Sequence, residues 1–129
     1  MQVDRPAVID RYWEAVRERD LEAVRACVTD DFVEDWPQSG ERIRGIDDWH
    51  RMATAHPTYP SVTPVRTVGE GDLWVTEALF DYGGGDPWRV CAILELSGER
   101  IARVTEYFGA PFEVPEWRAG MTERIPDPT

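Results

Sequence analysis

Helical periodicity in this chain stops at Pro57, and strand patterning takes over. Before that proline, apolar residues recur at three- and four-residue steps: Ile9, Tyr12, Trp13 and Val16, then Leu21, Val24, Cys27 and Val28, then Trp49, Met52 and Ala53. After it, the runs Val62 to Val68, Leu73 to Tyr82, Trp88 to Leu96 and Arg100 to Phe108 are rich in β-formers. Turn signals separate them, the plainest being Gly83-Gly84-Gly85-Asp86-Pro87 and Ser97-Gly98-Glu99. One short strand, Phe32 to Trp36, interrupts the helical half and ends at Pro37 and Ser39-Gly40. Helix, helix, strand, helix, then a meander of about four antiparallel strands predicts an α+β fold. Asp4 and Asp20 are placed to cap the first two helices. The expectation is a single domain over 1–129, its tail from about 113 partly irregular.

Charge narrows the partners. Fourteen basic residues against 25 acidic ones leave −11, which repels nucleic-acid backbones and anionic membranes. The reading is no nucleic acid and no membrane. The opening Met1-Gln2-Val3-Asp4-Arg5-Pro6 has no apolar signal core, and no stretch approaches the roughly 20 apolar residues of a membrane span. A cytoplasmic location is expected. Two cysteines, Cys27 and Cys91, make no disulfide framework and read as buried thiols. His50 and His56 are six apart, which fits no common helical metal pair, and Gly83-Gly84-Gly85 lacks the lysine of a phosphate loop. No metal and no cofactor are expected.

The candidates for chemistry are carboxylates beside aromatics. In Val33-Glu34-Asp35-Trp36-Pro37 a carboxylate stands at the end of an apolar strand, which is costly unless something uses or satisfies it. Asp35, partly desolvated beside Val33 and Trp36, reads as a base; the alternative is a strand-end aspartate capping the turn. Tyr12 shares a helical stripe with Ile9 and Val16, and a tyrosine facing the same cavity as a carboxylate supplies a donor to its base. Strand alternation puts Val104, Glu106 and Phe108 on one face, so Glu106 faces inward if its apolar neighbours do. Otherwise it pairs outward with Arg103 or Arg89. Parity leaves Glu77 undecided, because both faces of Trp74 to Asp81 are mixed. His50 is either a pocket acid or base or an exposed helix histidine. Six tryptophans are more than an ordinary core needs and suit a concave apolar pocket. The expected ligand contacts are Trp13, Trp36, Trp49, His50, Met52, Glu77, Trp88 and Phe108.

The order of these pieces resembles the nuclear transport factor 2-like superfamily in its SnoaL-like branch, which is related to polyketide cyclases and steroid Δ-isomerases. The carriers are Tyr12-Trp13, Asp30-Asp31-Phe32-Val33-Glu34-Asp35, Arg44-Gly45-Ile46, Gly98-Glu99-Arg100-Ile101 and Glu106-Tyr107-Phe108. The resemblance implies a curved antiparallel sheet wrapped as a cone around three N-terminal helices, an apolar pocket inside, and homodimers formed through the sheet. Against the steroid isomerases it implies Tyr12 as oxyanion donor and Asp35 as base, with Glu106 as the acid/base that the SnoaL-like branch carries on its last strand. The second oxyanion donor falls at Ala92 or Leu94, neither of which donates a hydrogen bond. Losing one such donor costs about 10²–10³ in rate, which implies another use of the pocket. The expectation is a cofactor-free isomerase, cyclase, dehydratase or hydrolase acting on a small hydrophobic molecule. The alternatives are a non-catalytic carrier of such a molecule and a dimeric scaffold.

Overall fold

A computed structural model describes residues 4–126; residues 1–3 of the opening stretch lie outside the described residues, as do 127–129. The elements are α1 (Ala7–Glu18), α2 (Leu21–Cys27), β1 (Val28–Trp36), β2 (Glu41–Arg44), α3 (Gly45–Ala55), β3 (Ser61–Glu70), β4 (Leu73–Asp81), β5 (Trp88–Ser97) and β6 (Arg100–Gly109). A single 3₁₀ turn, Glu116–Arg118, follows in the tail. The α+β expectation holds. No helix among the described residues is long and apolar enough to cross a membrane.

The helical hairpin forms because α1 stops abruptly. Arg19 takes a left-handed conformation, and the Asp20 carboxylate then accepts the Ala23 N–H at 3.2 Å to start α2. The expected cap at Asp4 is not made: the residue before α1 is Pro6, which carries no side-chain cap. The ring's fixed φ already suits a helix entry.

Six strands form one curved sheet in the order β2-β1-β6-β5-β4-β3. All neighbours are antiparallel except β1 and β6, which run parallel and so bring the first strand beside the last. Strand β2 was not expected from the sequence; it pairs with β1 across the Pro37–Gly40 turn, setting Arg42 opposite Asp35. The concave face carries Phe32, Trp74, Ala78, Ala92, Leu94 and Val104, all buried against Ile9, Trp13, Val16 and Val24. Cys27 joins that core. Cys91, expected to be buried, is exposed, because it alternates with the inward Val90 and Ala92.

Candidate functional site

Strand alternation decides the chemistry of β1. Phe32, Glu34 and Trp36 turn inward, while Asp35 turns out. On the neighbouring β6, Val104, Glu106 and Phe108 turn inward, as their parity predicts. Parallel pairing sets Glu34 beside Val104, two residues along the strand from Glu106 and on the same face. Two glutamates therefore meet on the concave face, only 3 % and 5 % exposed.

Trp36 joins them. Its Nε1–H reaches Oε2 of Glu34 and Oε1 of Glu106, each at 3.1 Å. The Tyr12 hydroxyl donates to Oε1 of Glu34 at 3.4 Å. Burial raises Glu34 well above the usual carboxylate range, and the charge of Glu106 adds to the effect. Burial raises Glu106 as well, against the opposing pull of Trp36 and Glu34. Two carboxylates this close in an apolar site do not both ionise. Glu34 is the one that keeps its proton, which it can give to Glu106. Tyr12 is raised by burial first and by the two glutamates next, so it remains a neutral hydroxyl.

The pair lies in the wall of a cavity of about 610 Å³. That volume lies within the ordinary range for small-molecule sites, about 300–1,000 Å³. Tyr12 and Val16 of α1, four residues apart, form part of the wall. Trp49, Met52 and His56 follow one stripe of α3 and its end. Phe80, Phe108 and Trp88 come from the sheet. Half-buried aromatics ring the outer part of the wall. His56 stacks on Tyr82 at 5.8 Å, Tyr82 meets Trp88 edge-on at 5.4 Å, and Tyr59 lies edge-on to His56. Tyr59 donates its hydroxyl to the Val16 carbonyl at 2.6 Å. The Thr58 backbone N–H donates to Nδ1 of His56 at 3.0 Å, so the neutral ring carries its proton on Nε2.

Of the residues expected here, Tyr12, Trp36, Trp49, Met52, Trp88, Glu106 and Phe108 meet at the cavity. Four do not. Asp35 forms a two-point ion pair with Arg42, at 2.6 and 2.9 Å, on the outer side of β1. The Arg42 hydrogen bond holds its carboxyl below the usual value. Trp13 is one residue off the Tyr12–Val16 stripe and donates Nε1–H to the Thr76 hydroxyl at 3.0 Å in the core. His50 is one residue off the Trp49–Met52 stripe and sits 3.5 Å from the Thr54 hydroxyl. Glu77 points to the outer face, 3.8 Å from Arg66. Glu34, His56, Tyr59 and Tyr82 were not anticipated. Glu34 and Tyr82 had a signal: Glu34 alternates with the two aromatics Phe32 and Trp36, and Tyr82 alternates with Phe80 at the end of the Leu73 to Tyr82 run. His56 and Tyr59 lie at a chain connection without periodicity.

With this geometry in hand, the comparisons settle the family. The sequence model of the SnoaL-like domain matches residues 9–104. The chain belongs to the SnoaL-like family. An NTF-2 like protein of unknown function from Burkholderia xenovorans is 34 % identical, with 92 % of this chain and 93 % of that chain covered and a TM-score of 0.78. A candidate ketosteroid isomerase from Kribbella flavida is 25 % identical, covers 94 % of this chain and 89 % of its own, and has a TM-score of 0.81. A candidate polyketide cyclase from Sinorhizobium meliloti shares the fold at 22 % identity, with 81 % and 96 % covered and a TM-score of 0.68. No curated protein matches the chain. In this SnoaL-like domain the inward strand-one carboxylate is Glu34, and the steroid-isomerase resemblance that pointed to Asp35 is off by one residue.

Proposed function

We propose that the protein is a cofactor-free acid/base catalyst that moves a proton on a small apolar molecule bearing a carbonyl, enol or epoxide. The observation that carries this reading is the meeting of Glu34 and Glu106 on one indole N–H in the wall of an apolar cavity. A carboxyl pair with one proton between its members is an acid and a base in a single unit. On a carbonyl substrate, Glu106 takes a proton from the carbon beside the carbonyl. Glu34 gives its proton to the carbonyl oxygen. The C–H bond breaks, an O–H bond forms, and an enol results; where a C=C bond adjoins that carbon the product is a dienol, and delivery of the Glu106 proton to its far carbon, with the O–H proton returning to Glu34, completes an isomerisation and restores the pair. Trp36 holds the two carboxyls together. Tyr12 is a positioning residue, because its hydroxyl is directed at Glu34 rather than left free for an oxyanion.

The likeness to the candidate ketosteroid isomerase from Kribbella flavida supports this class of chemistry. A carrier without chemistry is the second reading. Its support is Ala92, apolar and buried directly across the sheet from Glu106, where no donor stands.

The test is solvent exchange. The protein is incubated in D₂O with a panel of apolar ketones, and deuterium entry beside the carbonyl is followed by NMR. Glu34→Gln and Glu106→Gln should each lower exchange by about 10² or more, while Asp35→Asn should change it less than about twofold. Exchange that survives both glutamine variants would remove the catalytic reading, and no exchange with any ketone would favour the carrier.

A further inference from the structure

The cavity wall carries two carboxyl groups and no arginine among the described residues, although every one of the chain's 14 basic residues is an arginine. Arg19 lies 4.7 Å over the Tyr59 ring and donates to the Ala53 carbonyl, and Arg17 donates to the Val62 carbonyl, but neither arginine is part of the lining. A carboxylate held fully ionised away from water typically accepts two or three N–H bonds. Here Glu34 and Glu106 share one indole N–H, and among the described residues the only other donor is a Tyr12 hydroxyl at 3.4 Å. The protein thus supplies too little to hold two negative charges, and supplies no cation. What it does supply is aromatic surface. Trp36, Trp49, Tyr59, Tyr82, Trp88 and Phe108 all line the same space, and aromatic faces attract cations through their quadrupoles, more strongly once water is excluded.

We propose that this cavity takes a ligand carrying a protonated or quaternary amine on an apolar body, the cation lying against Glu34 and Glu106 within the aromatic walls. The inference rests on the reading of these glutamates as a pair that shares a proton. When the cation enters, the proton between the carboxyls passes to bulk buffer, and both carboxylates face the positive charge. The other titratable groups on the wall are Tyr12 from α1, His56 and Tyr59 from the segment after α3, and Tyr82 after β4. None is a fixed cation. An anionic ligand meets only like charge here.

The test compares two probes of one shape. One is [4-(hydroxymethyl)phenyl]trimethylammonium; the other is 4-tert-butylbenzyl alcohol, in which carbon replaces the charged nitrogen. Each is titrated calorimetrically into the intact protein at pH 8, where imidazoles as a class are neutral, in two buffers of different ionisation enthalpy. The expected result is that the cation binds about tenfold tighter or more and releases protons to the buffer. In the double variant Glu34→Gln, Glu106→Gln the preference should vanish while the alcohol still binds, which shows that the cavity has kept its shape. Equal or tighter binding of the alcohol by the unmodified protein, or no binding of the cation, would overturn the proposal. The carboxyl titrations, read separately by ¹³C NMR, keep the two ideas apart. If neither glutamate titrates above the usual range, the shared-proton reading falls. If one does and the alcohol still binds better, only the ligand class falls.

Discussion

Burial keeps a proton on Glu34, while the Arg42 guanidinium favours the ionised form of its neighbour Asp35, and the two residues therefore pull stability in opposite directions with pH. Below about 4.5, Glu34 is protonated in folded and unfolded chains alike and contributes nothing. Above that value the unfolded chain loses the proton and the folded one keeps it, so stability falls as pH rises toward the folded value. Asp35 has its value lowered, so its contribution is present above the ordinary 3.8 and is lost as pH falls below it. The sum predicts greatest stability in mildly acid solution. Urea denaturation from pH 4 to pH 8 checks this: the unmodified protein should weaken across the range, and Glu34→Gln should flatten the decline and raise the midpoint at pH 8. An unchanged slope in the variant would mean that Glu34 titrates normally in the folded chain. This contrast was legible in part. Glu106 follows from the alternation of Val104, Glu106 and Phe108. The same rule on Phe32, Glu34 and Trp36 leads to Glu34, but the resemblance to steroid isomerases drew attention to Asp35. A one-residue slip exchanges the two faces of a strand, so a family match that is right about the strand still misses the side chain.

Elements were legible where their pattern was long. The four strands of the meander end within two residues of where their turn signals place them, because Gly83 to Pro87 and Ser97 to Glu99 leave little choice. Helix α3, Gly45–Ala55, contains the Trp49–Met52–Ala53 stripe from which it was read, and starts two residues before and ends one before the Asp47 to His56 that its flanking signals suggest. Two features escaped. Strand β2 has four residues and one buried side chain, Ile43, too few for alternation to declare itself. Strand β1 begins at Val28 rather than Phe32, since Thr29, Asp30 and Asp31 carry no apolar signal and its pairing with β6 is irregular between Val28 and Val33. The connection from α3 to β3, which brings His56 and Tyr59 to the cavity, has no period at all. One glycine at the β3–β4 hairpin makes a sharp prediction. A Cβ on Gly69 would stand 2.3 Å from the Leu73 carbonyl oxygen and 2.7 Å from the Trp74 Cα, both backbone atoms that cannot swing aside. Trp74 is buried in the core. Gly69→Ala should therefore cost about 1–3 kcal/mol in chemical denaturation. Gly71→Ala serves as the comparison at a left-handed φ of 59° with open space, where only backbone strain operates. Equal losses in the two variants would refute the steric argument.

At the scale of the whole molecule, the convex face of the sheet is partly lined by the tail, whose Ile125 and Pro126 share a shallow pocket with Val65, Glu77, Cys91 and Tyr107. Register aligns Val68, Val75, Ile93 and Thr105 in one row across β3 to β6, and the next row holds Arg66, Glu77, Cys91 and Tyr107. Val65, Val68, Leu73 and Tyr107 are exposed, and ion pairs Arg66–Glu77 and Arg103–Glu95 stand among them. Apolar rows flanked by charges of both signs suit a two-fold contact of the face with itself, since each pair can exchange partners across the axis. The homodimer that the family resemblance implies is accordingly proposed to form through this face. A stable contact of this kind needs about 800 Å² from each partner, and the two copies each bring a net charge of −11 to it. Those charges are mostly exposed and screened by salt, while burial of the valine and isoleucine row is not. The dimer should therefore tighten as salt is added, the reverse of an interface held by ion pairs. Analytical ultracentrifugation at micromolar concentration is expected to give twice the monomer mass, with weaker association at low ionic strength. Ile93→Asp, which sets a carboxylate in the middle of the apolar row, should give the monomer mass at every salt concentration with an unchanged far-ultraviolet circular dichroism spectrum. A monomeric unmodified protein would remove the proposal, and a dimer that loosens with salt would move the interface to the charged residues instead.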